Sequence, residues 1–425
     1  MEKLMNGIQN FVGPLSEKLS SNKFLSAVTE ALQIVMPATF VGSFATLFAF
    51  IDIGPWQTFL VAHPMFGIVC MQIQTWTLNC MALYVAAALP WRYAEKLGIK
   101  QSANMVPLTV AVFLIFSQAA PYTTVPNDFL GHKGLISAML LGFLIPVVCK
   151  FFIDRNITIK MPAGVPKFIS DTFITLIPAV VVIVSAAVIS QLVAQTEFGT
   201  VHNVIYSLIQ LPLKDVGLSF PAFLLIEIFM TLLMFTGIHG GVALTVVTPL
   251  IAAANLENLE ALAAGNPLPN IWVTGLMNSV QIGGIGATLG LGILLVVLAK
   301  SERYKKLGRV AIVPQIFNIS EPLLFGVPIV LNPLLFIPYM GGILINTCLV
   351  YGLVYFGVIG RFTGVEVNWT IPAVLSGALS HSTPLVGALL HVGIIIIDML
   401  IWYPFMKIMD NKALEEEKTA AKKAA

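Results

Sequence analysis

Charge is what this 425-residue chain has least of: Asp, Glu, Lys and Arg together make up 10% of it, while 57% is hydrophobic. Soluble domains run at about 25% charged and roughly 45–50% apolar. So few charges exclude a soluble protein of this length, whose surface they could not cover, and the chain reads as an integral membrane protein. Cysteine is also scarce. Cys70, Cys80, Cys149 and Cys348 are scattered through apolar stretches, with no CxxC and no His/Cys cluster. A disulfide framework or a metal site is therefore not expected, and neither is a cofactor; the four read as packing residues. The net charge of +2 comes without a basic cluster suited to nucleic acid. No GxxxxGK[ST] pattern is present, which excludes a nucleotide-driven pump of the usual kind. No Ser/His/Asp or zinc-protease motif appears. The first residues, MEKLMNGIQNFVGPLSEKLS, lack a continuous apolar core and a small-residue cleavage site, so no cleaved signal peptide is expected there.

What is present in quantity is long apolar runs. A bilayer-crossing helix needs about 20 mostly apolar residues. Such stretches fall near 25–51, 66–90, 104–121, 134–153 and 169–194, and again near 218–238, 241–256, 278–299, 333–358 and 385–406. Two further stretches, 310–332 and 367–384, are apolar but broken by Pro, Gly, Ser and Asn. Interrupted segments are tolerated at membrane depth only when buried in protein or lining a cavity. The expectation is an all-α integral membrane protein with about ten transmembrane helices, two re-entrant hairpins and two structural halves. With the N-terminus placed in the cytoplasm, alternating spans put all but Lys133, Lys214 and Arg361 of the 23 basic residues inside, as the positive-inside rule requires. The C-terminus is then cytoplasmic too. Four regions are expected: an N-terminal five-helix half (1–194), a connector with an amphipathic interfacial helix (195–217), a C-terminal half with both broken stretches (218–410) and a charged, solvated tail (411–425).

Ionisable residues inside apolar spans are expensive and therefore informative. Glu321 stands in FNISEPLLFGVPIVLNP, residues 317–333, among Pro322, Pro328, Pro333, Asn318 and Asn332. A carboxylate on broken backbone reads as a cavity liner, since carboxylate oxygens accept from hydroxyls; the alternative is a carboxyl that only ties a hairpin to its neighbours. His239 in TGIHGG has glycines on both sides that let backbone or ligand come close. Glu30, Glu227 and Asp398 read as interhelical hydrogen-bond anchors, and Asp171 as a helix cap at the membrane edge. Trp369, in VEVNWTIPAVLSG, is either an interface anchor or a flat face on which a sugar ring stacks. The run QIGGIGATLGLG at 281–292 lies in an expected span and reads as close helix packing rather than as a phosphate site.

Several of these segments, in this order, carry a resemblance: GIHGG (237–241), GGIGATLGL (283–291), FNISEPLLFGVPIVLNP (317–333) and VNWTIPAVLSG (367–377). They resemble the membrane IIC permeases of the bacterial phosphotransferase system (PTS), lactose/cellobiose/chitobiose group, as do MPAGVPKFISDTFITLIP (161–178) and IWYPFMKIMD (401–410). The NxxEPxxFGxPxxxNP pattern from Asn318 to Pro333 is the most specific of them. The resemblance implies a homodimer in the bacterial cell membrane, ten helices, two re-entrant hairpins, dimer contacts through the first five helices and a sugar held by the second half. It implies import of a sugar, a β-linked disaccharide such as cellobiose, coupled to phosphorylation by the phosphocysteine of a IIB protein. It makes Glu321 and His239 the residues that hold the sugar hydroxyls, with Trp369 against the sugar and Ser320, Asn318 and, by a looser match, Asn127 at the site. Which of Glu321 and His239 takes a proton stays open.

The chain departs from the family pattern at Met234 and Phe235, where relatives carry an aromatic pair, at Ser320, where Asn often precedes the Glu, and at Leu385, in place of a second Trp. No cysteine lies in an exposed basic loop, as a phosphorylated one should. IIA and IIB are therefore expected as separate chains, and no phosphorylated residue is expected here. Two other readings remain: a secondary transporter coupling sugar to protons through Glu321, and a sugar-binding membrane sensor without flux.

Overall fold

The computed structural model describes residues 21–50, 53–117, 129–162 and 164–424. The described residues are overwhelmingly helical and contain no sheet; the sole extended pairing among them is an isolated bridge between Phe362 and His381. Eighteen helices carry the fold. In the first half these are α1 (Lys23–Phe50), α2 (Gly54–Ala62), α3 (Pro64–Thr77), α4 (Met81–Lys96), α5 (Met105–Ser117), α6 (Leu135–Asp154), α7 (Lys167–Ile174) and α8 (Leu176–Ala194). A connector helix α9 (Val201–Gly217) follows, with one π-helical turn at Tyr206–Gln210. Then come α10 (Phe220–Phe235), α11 (Thr248–Ala263), α12 (Thr274–Val280), α13 (Leu289–Leu298) and α14 (Glu302–Ile316). The chain ends in α15 (Glu321–Gly326), α16 (Pro333–Tyr355), α17 (Ala373–Ser380) and α18 (Pro384–Ala424).

Among the described residues, four helices are long and apolar enough to cross a bilayer: His132–Asp154, Leu176–Ala194, Pro333–Tyr355 and Pro384–Ala420. The number rises to six if each of two bent pairs, one within α1 (44°) and one between α9 and α10 (62°), is a single span. Helix α8 shows why these segments belong in lipid. Val180, Val184, Val188 and Leu192 recur every fourth residue and each is more than half exposed. An apolar stripe of that length is not left bare in water.

Several expected spans are divided. The 66–90 stretch is two helices, α3 and α4, parted by a 3-10 turn at Leu78–Cys80, and α4 runs on to Lys96. The 241–256 stretch is a 3-10 segment, Gly240–Val246, followed by α11. The largest departure is 278–299. Only Leu289–Leu298 of it is a long apolar helix; residues 281–288 form a turn that breaks it. Gly283, Gly284, Gly286 and Ala287 there have φ of +84°, +93°, +96° and +51°. Left-handed residues in series cannot continue a right-handed helix. Space demands glycine as well: a Cβ on Gly286 would lie 1.8 Å from the Tyr339 ring and one on Gly284 2.6 Å from the Asn318 carbonyl oxygen. The first part of the run read as helix packing, 281–288, is thus a compact turn, while Gly290 and Gly292 at the start of α13 do pack closely, against α18 and α14. The broken stretches 310–332 and 367–384 each hold one short helix, α15 and α17, although α14 reaches into the first as far as Ile316.

The tail, expected as a solvated end, is the helical continuation of α18. Two of its carboxylates close the start of α14. Asp410 accepts from the N–H groups of Lys300 (2.7 Å) and Ser301 (2.9 Å) and from the Ser301 hydroxyl (2.7 Å), and Glu417 accepts from the N–H groups of Glu302 (3.1 Å) and Arg303 (2.9 Å). These are the unpaired donors that every helix start leaves open.

Three apolar cores result. One joins α1, α4, α5 and α6 and takes in Leu250, Ala253, Leu256 and Leu259 of α11. A second joins α10, α13, α14, α15, α16 and α18, and a third centres on Trp272, Phe223 and Phe362. Helix α11 contributes Ile251 and Ala254 to the third core as well, so it is the beam between the halves.

Candidate functional site

Where helices stop, backbone polar groups and side chains are left to face one space. Here α10, α12 and α14 all end, and α15 begins, around a cavity of about 200 Å³. His239, Gln281, Asn318, Ser320, Glu321 and Trp369 line it, with methionines 230, 234 and 277 supplying much of the apolar wall. Five of the six residues singled out in the sequence therefore converge on one cavity. The sixth, Asn127, lies outside the described residues.

His239 follows Gly237, whose φ of +87° turns the chain at the end of α10. Its Nδ1 accepts from the Gly241 N–H at 3.1 Å. An accepting Nδ1 carries no hydrogen, so the ring proton sits on Nε2, the nitrogen that faces Glu321. Nε2 and Glu321 Oε1 are 3.8 Å apart, with the two side chains 64% and 39% exposed. That is beyond hydrogen-bond reach: a donor and an acceptor face each other across a gap. Glu321 heads α15, with Pro322 beside it at the helix start, where a missing N–H costs nothing. Ser320, 2% exposed, is pressed against Gly284, where an added Cβ would lie 2.9 Å from its hydroxyl.

Asn318 is the brace of the site. Its left-handed backbone (φ +59°) is one that Asn tolerates. Its Oδ1 accepts from the Gly283 N–H at 2.8 Å, and its Nδ2 donates to the carbonyls of Trp369 (2.6 Å) and Ile371 (3.0 Å). One carboxamide thus joins the Glu321 segment, the glycine turn and the Trp369 loop, and has no hydrogen left over. Asn278 adds a bond to the Val367 carbonyl at 3.0 Å. Held this way, Trp369 presents an indole that is 56% exposed to the cavity side.

The other charges singled out in the sequence have protein partners. Glu30 reaches from α1 to α4, bonding Arg92 at 2.7 Å and Lys96 at 2.6 Å. Asp398 accepts from Asn346 at 2.9 Å, tying α18 to α16. Glu227 accepts from Gln281 at 2.7 Å. Asp171, expected as a cap, lies inside α7 and accepts instead from Gln101 at 2.8 Å. His381 and His391 are buried packing groups, bonded to the Gly360 carbonyl and the Ser279 hydroxyl. Of the cysteines, Cys348 is exposed on α16 and the other three are buried. Sequence reasoning passed over Gln281, Asn278, Met230 and Met277, and noted Met234 only as a departure from the family pattern. Gln281 had a signal, since it opens the glycine run and a polar residue there has no packing purpose.

Comparison with known proteins agrees with this architecture. The family described as "Phosphotransferase system, EIIC" matches residues 29–342. The chain is 30% identical to the lichenan permease IIC component of Bacillus subtilis, covering 98% of this chain and 96% of that one. It is 30% identical to the PTS system cellobiose-specific EIIC component of Geobacillus stearothermophilus, again over 98% and 96%. The crystal structure of the transporter ChbC, the IIC component from the N,N'-diacetylchitobiose-specific phosphotransferase system, superimposes with a TM-score of 0.89, covering 97% of this chain and 99% of ChbC at 29% identity. With a family match over most of its length and an all-helical transporter fold in common, this chain belongs to the EIIC family of sugar permeases of the phosphotransferase system.

Proposed function

We propose that this protein imports a β-linked disaccharide such as cellobiose and presents one of its hydroxyls to a separate phosphorylated IIB protein. The observation that carries this reading is the 3.8 Å gap between His239 Nε2 and Glu321 Oε1. A sugar hydroxyl placed there accepts from Nε2–H and donates to the carboxylate, which satisfies both at once. On this reading His239 is the donor and Glu321 the acceptor. When the hydroxyl oxygen attacks the phosphorus of the phosphocysteine, the O–P bond forms, the S–P bond breaks and the hydroxyl proton passes to Glu321. Trp369 stacks on the sugar ring, Ser320 sets the room at the hydroxyl, and Asn318 acts through the segments that it braces. Asn127 is proposed to approach the site from the first half. The relatives named for cellobiose and N,N'-diacetylchitobiose support the β-linked class.

The same proposal includes ten spans, two re-entrant hairpins around α15 and α17, cytoplasmic termini, dimerisation through the first five helices and alternating access by rigid-body movement of the second half. Separate IIA and IIB chains complete the system. The basic start of α14, with Lys305 and Lys306, is the proposed docking surface for IIB.

Glu321→Gln tests the central claim. It removes the charged acceptor and keeps the shape, so affinity for the sugar falls about 10- to 100-fold and phosphorylation is lost. Wild-type binding and phosphorylation in this variant rule the reading out; unmodified sugar accumulating under a proton gradient indicates a proton-coupled carrier instead. Reversing both Lys305 and Lys306 to Glu is expected to lower phosphorylation several-fold with sugar binding intact, and unchanged phosphorylation rejects docking there.

A further inference from the structure

Glu227, like Asp398, is a buried carboxyl for which stability offers little reason, and it is the one bonded to the cavity wall. It is 0% exposed in α10, one turn before Met230. Its Oε2 accepts from Gln281 Nε2 at 2.7 Å, while its Oε1 is buried without a hydrogen bond. A half-satisfied buried carboxylate costs folding free energy that an apolar side chain of the same shape would save. Its one hydrogen bond goes to a residue of the cavity wall. The Gln281 amide turns its nitrogen, not its oxygen, toward the Glu227 carboxyl, where the Met230 sulfur, 3.6 Å away, is a second, weaker acceptor. With its nitrogen turned toward α10, Gln281 keeps its carbonyl oxygen for the cavity that it lines.

We propose that Glu227 is a positioning residue that fixes the flip of the Gln281 amide, making Gln281 Oε1 a dedicated acceptor for one donor hydroxyl of the sugar and so a determinant of which sugar fits. This rests on the sugar-binding reading of the cavity. It adds a second acceptor to Glu321, carried by a residue of the segment that sequence analysis assigned to packing. An amide free to flip would offer a donor or an acceptor and would not discriminate. A wrong hydroxyl pattern opposite a fixed acceptor leaves a buried polar group unpaired, which is how hydrogen-bonding sites reject close analogues.

The test is equilibrium binding of purified full-length protein to cellobiose, lactose and N,N'-diacetylchitobiose, and to the monodeoxy derivatives of whichever binds, alongside thermal melting. Glu227→Met and Gln281→Met are each expected to weaken binding about tenfold. The double variant is expected to lose about tenfold rather than a hundredfold, because both act through one contact. Glu227→Gln, whose amide both donates and accepts and so holds Gln281 in neither orientation, is expected to recover little of the loss. Glu227→Met should melt no lower than the parent, a split between stability and affinity that a purely structural anchor would not show. One deoxy sugar should be discriminated by the parent and not by Gln281→Met. Multiplicative losses in the double variant, or wild-type affinity in Glu227→Met, overturn the proposal. If Glu227→Met does not fold, undiminished discrimination by Gln281→Met overturns it. Failure of the parent to bind any of the three sugars instead rejects the reading of the cavity.

Discussion

Glu30 and Glu321 are the same residue type in two halves of one membrane protein, and they end in opposite situations. Glu30 lies in the regular first part of α1, ahead of its bend, and is closed by Arg92 and Lys96 from α4. Glu321 lies where the backbone is broken, and its nearest ring nitrogen stops 3.8 Å short. An unbroken helix hides its own polar groups, so a charge on it must be met by side chains of a neighbouring helix. A broken one brings its ends, turns and side chains to a common space and leaves them for something else to satisfy. The difference between a structural and a binding carboxylate is therefore set by the backbone beneath it more than by the carboxylate.

Variants along that contrast should differ in size of effect. Gly286→Ala attacks the broken half at its tightest point, placing a methyl against the Tyr339 ring on a left-handed backbone. A loss of about 3 kcal/mol or more is expected, read as a lower melting temperature and poor recovery of folded protein. Retention of parental stability would mean that the glycine turn is not the rigid floor described here. Asn318→Gly comes next. Glycine keeps the left-handed backbone and removes the three side-chain hydrogen bonds, costing about 3 kcal/mol at roughly 1 kcal/mol each. Because the cavity walls loosen with it, sugar affinity should fall in parallel with stability. The smallest effect belongs to the closed half. Glu30→Gln weakens two ion pairs, to Arg92 and Lys96, whose side chains are a quarter to a third exposed, so the expected cost is about 1 kcal/mol, with sugar binding unchanged. A larger fall in sugar binding for Glu30→Gln than for Asn318→Gly would collapse the distinction between the halves.

The sequence exposes this contrast unevenly. Glu321, His239 and Trp369 are visible because prolines, asparagines and glycines interrupt apolar runs around them, and all three reach one cavity. The break at 281–288 is hidden because QIGGIGATLGLG is apolar but for Gln281 and Thr288, and hydropathy does not distinguish glycine that packs two helices from glycine that refuses to be helix. What decides between them is non-local: the Tyr339 ring and the Asn318 carbonyl occupy the space that side chains would need. The role of Asn318 is hidden for a related reason. Its type suits a sugar, but the carbonyls that use up its amide come from Trp369 and Ile371, some fifty residues onward. The helical tail is masked by its charge, which reads as solvation until Asp410 and Glu417 are seen closing α14.

The residues around the cavity all come from the stretch between Met230 and Trp369, and Asn318 binds its walls to each other rather than to the first half. Such a site is a cup with its own frame. In the proposed movement of the second half, the contacts that these residues make to a sugar travel with the cup, and any contact from the first half, such as that proposed for Asn127, does not. The cost of displacement then falls on the few bonds that lead out of the frame. One is plainly placed to matter: Thr39 of α1 donates to Glu366 at 3.1 Å, three residues before Trp369. In that proposed movement this bond is one of the contacts that must give way, and it lies outside the cup, where it is open to adjustment without altering what the cup holds.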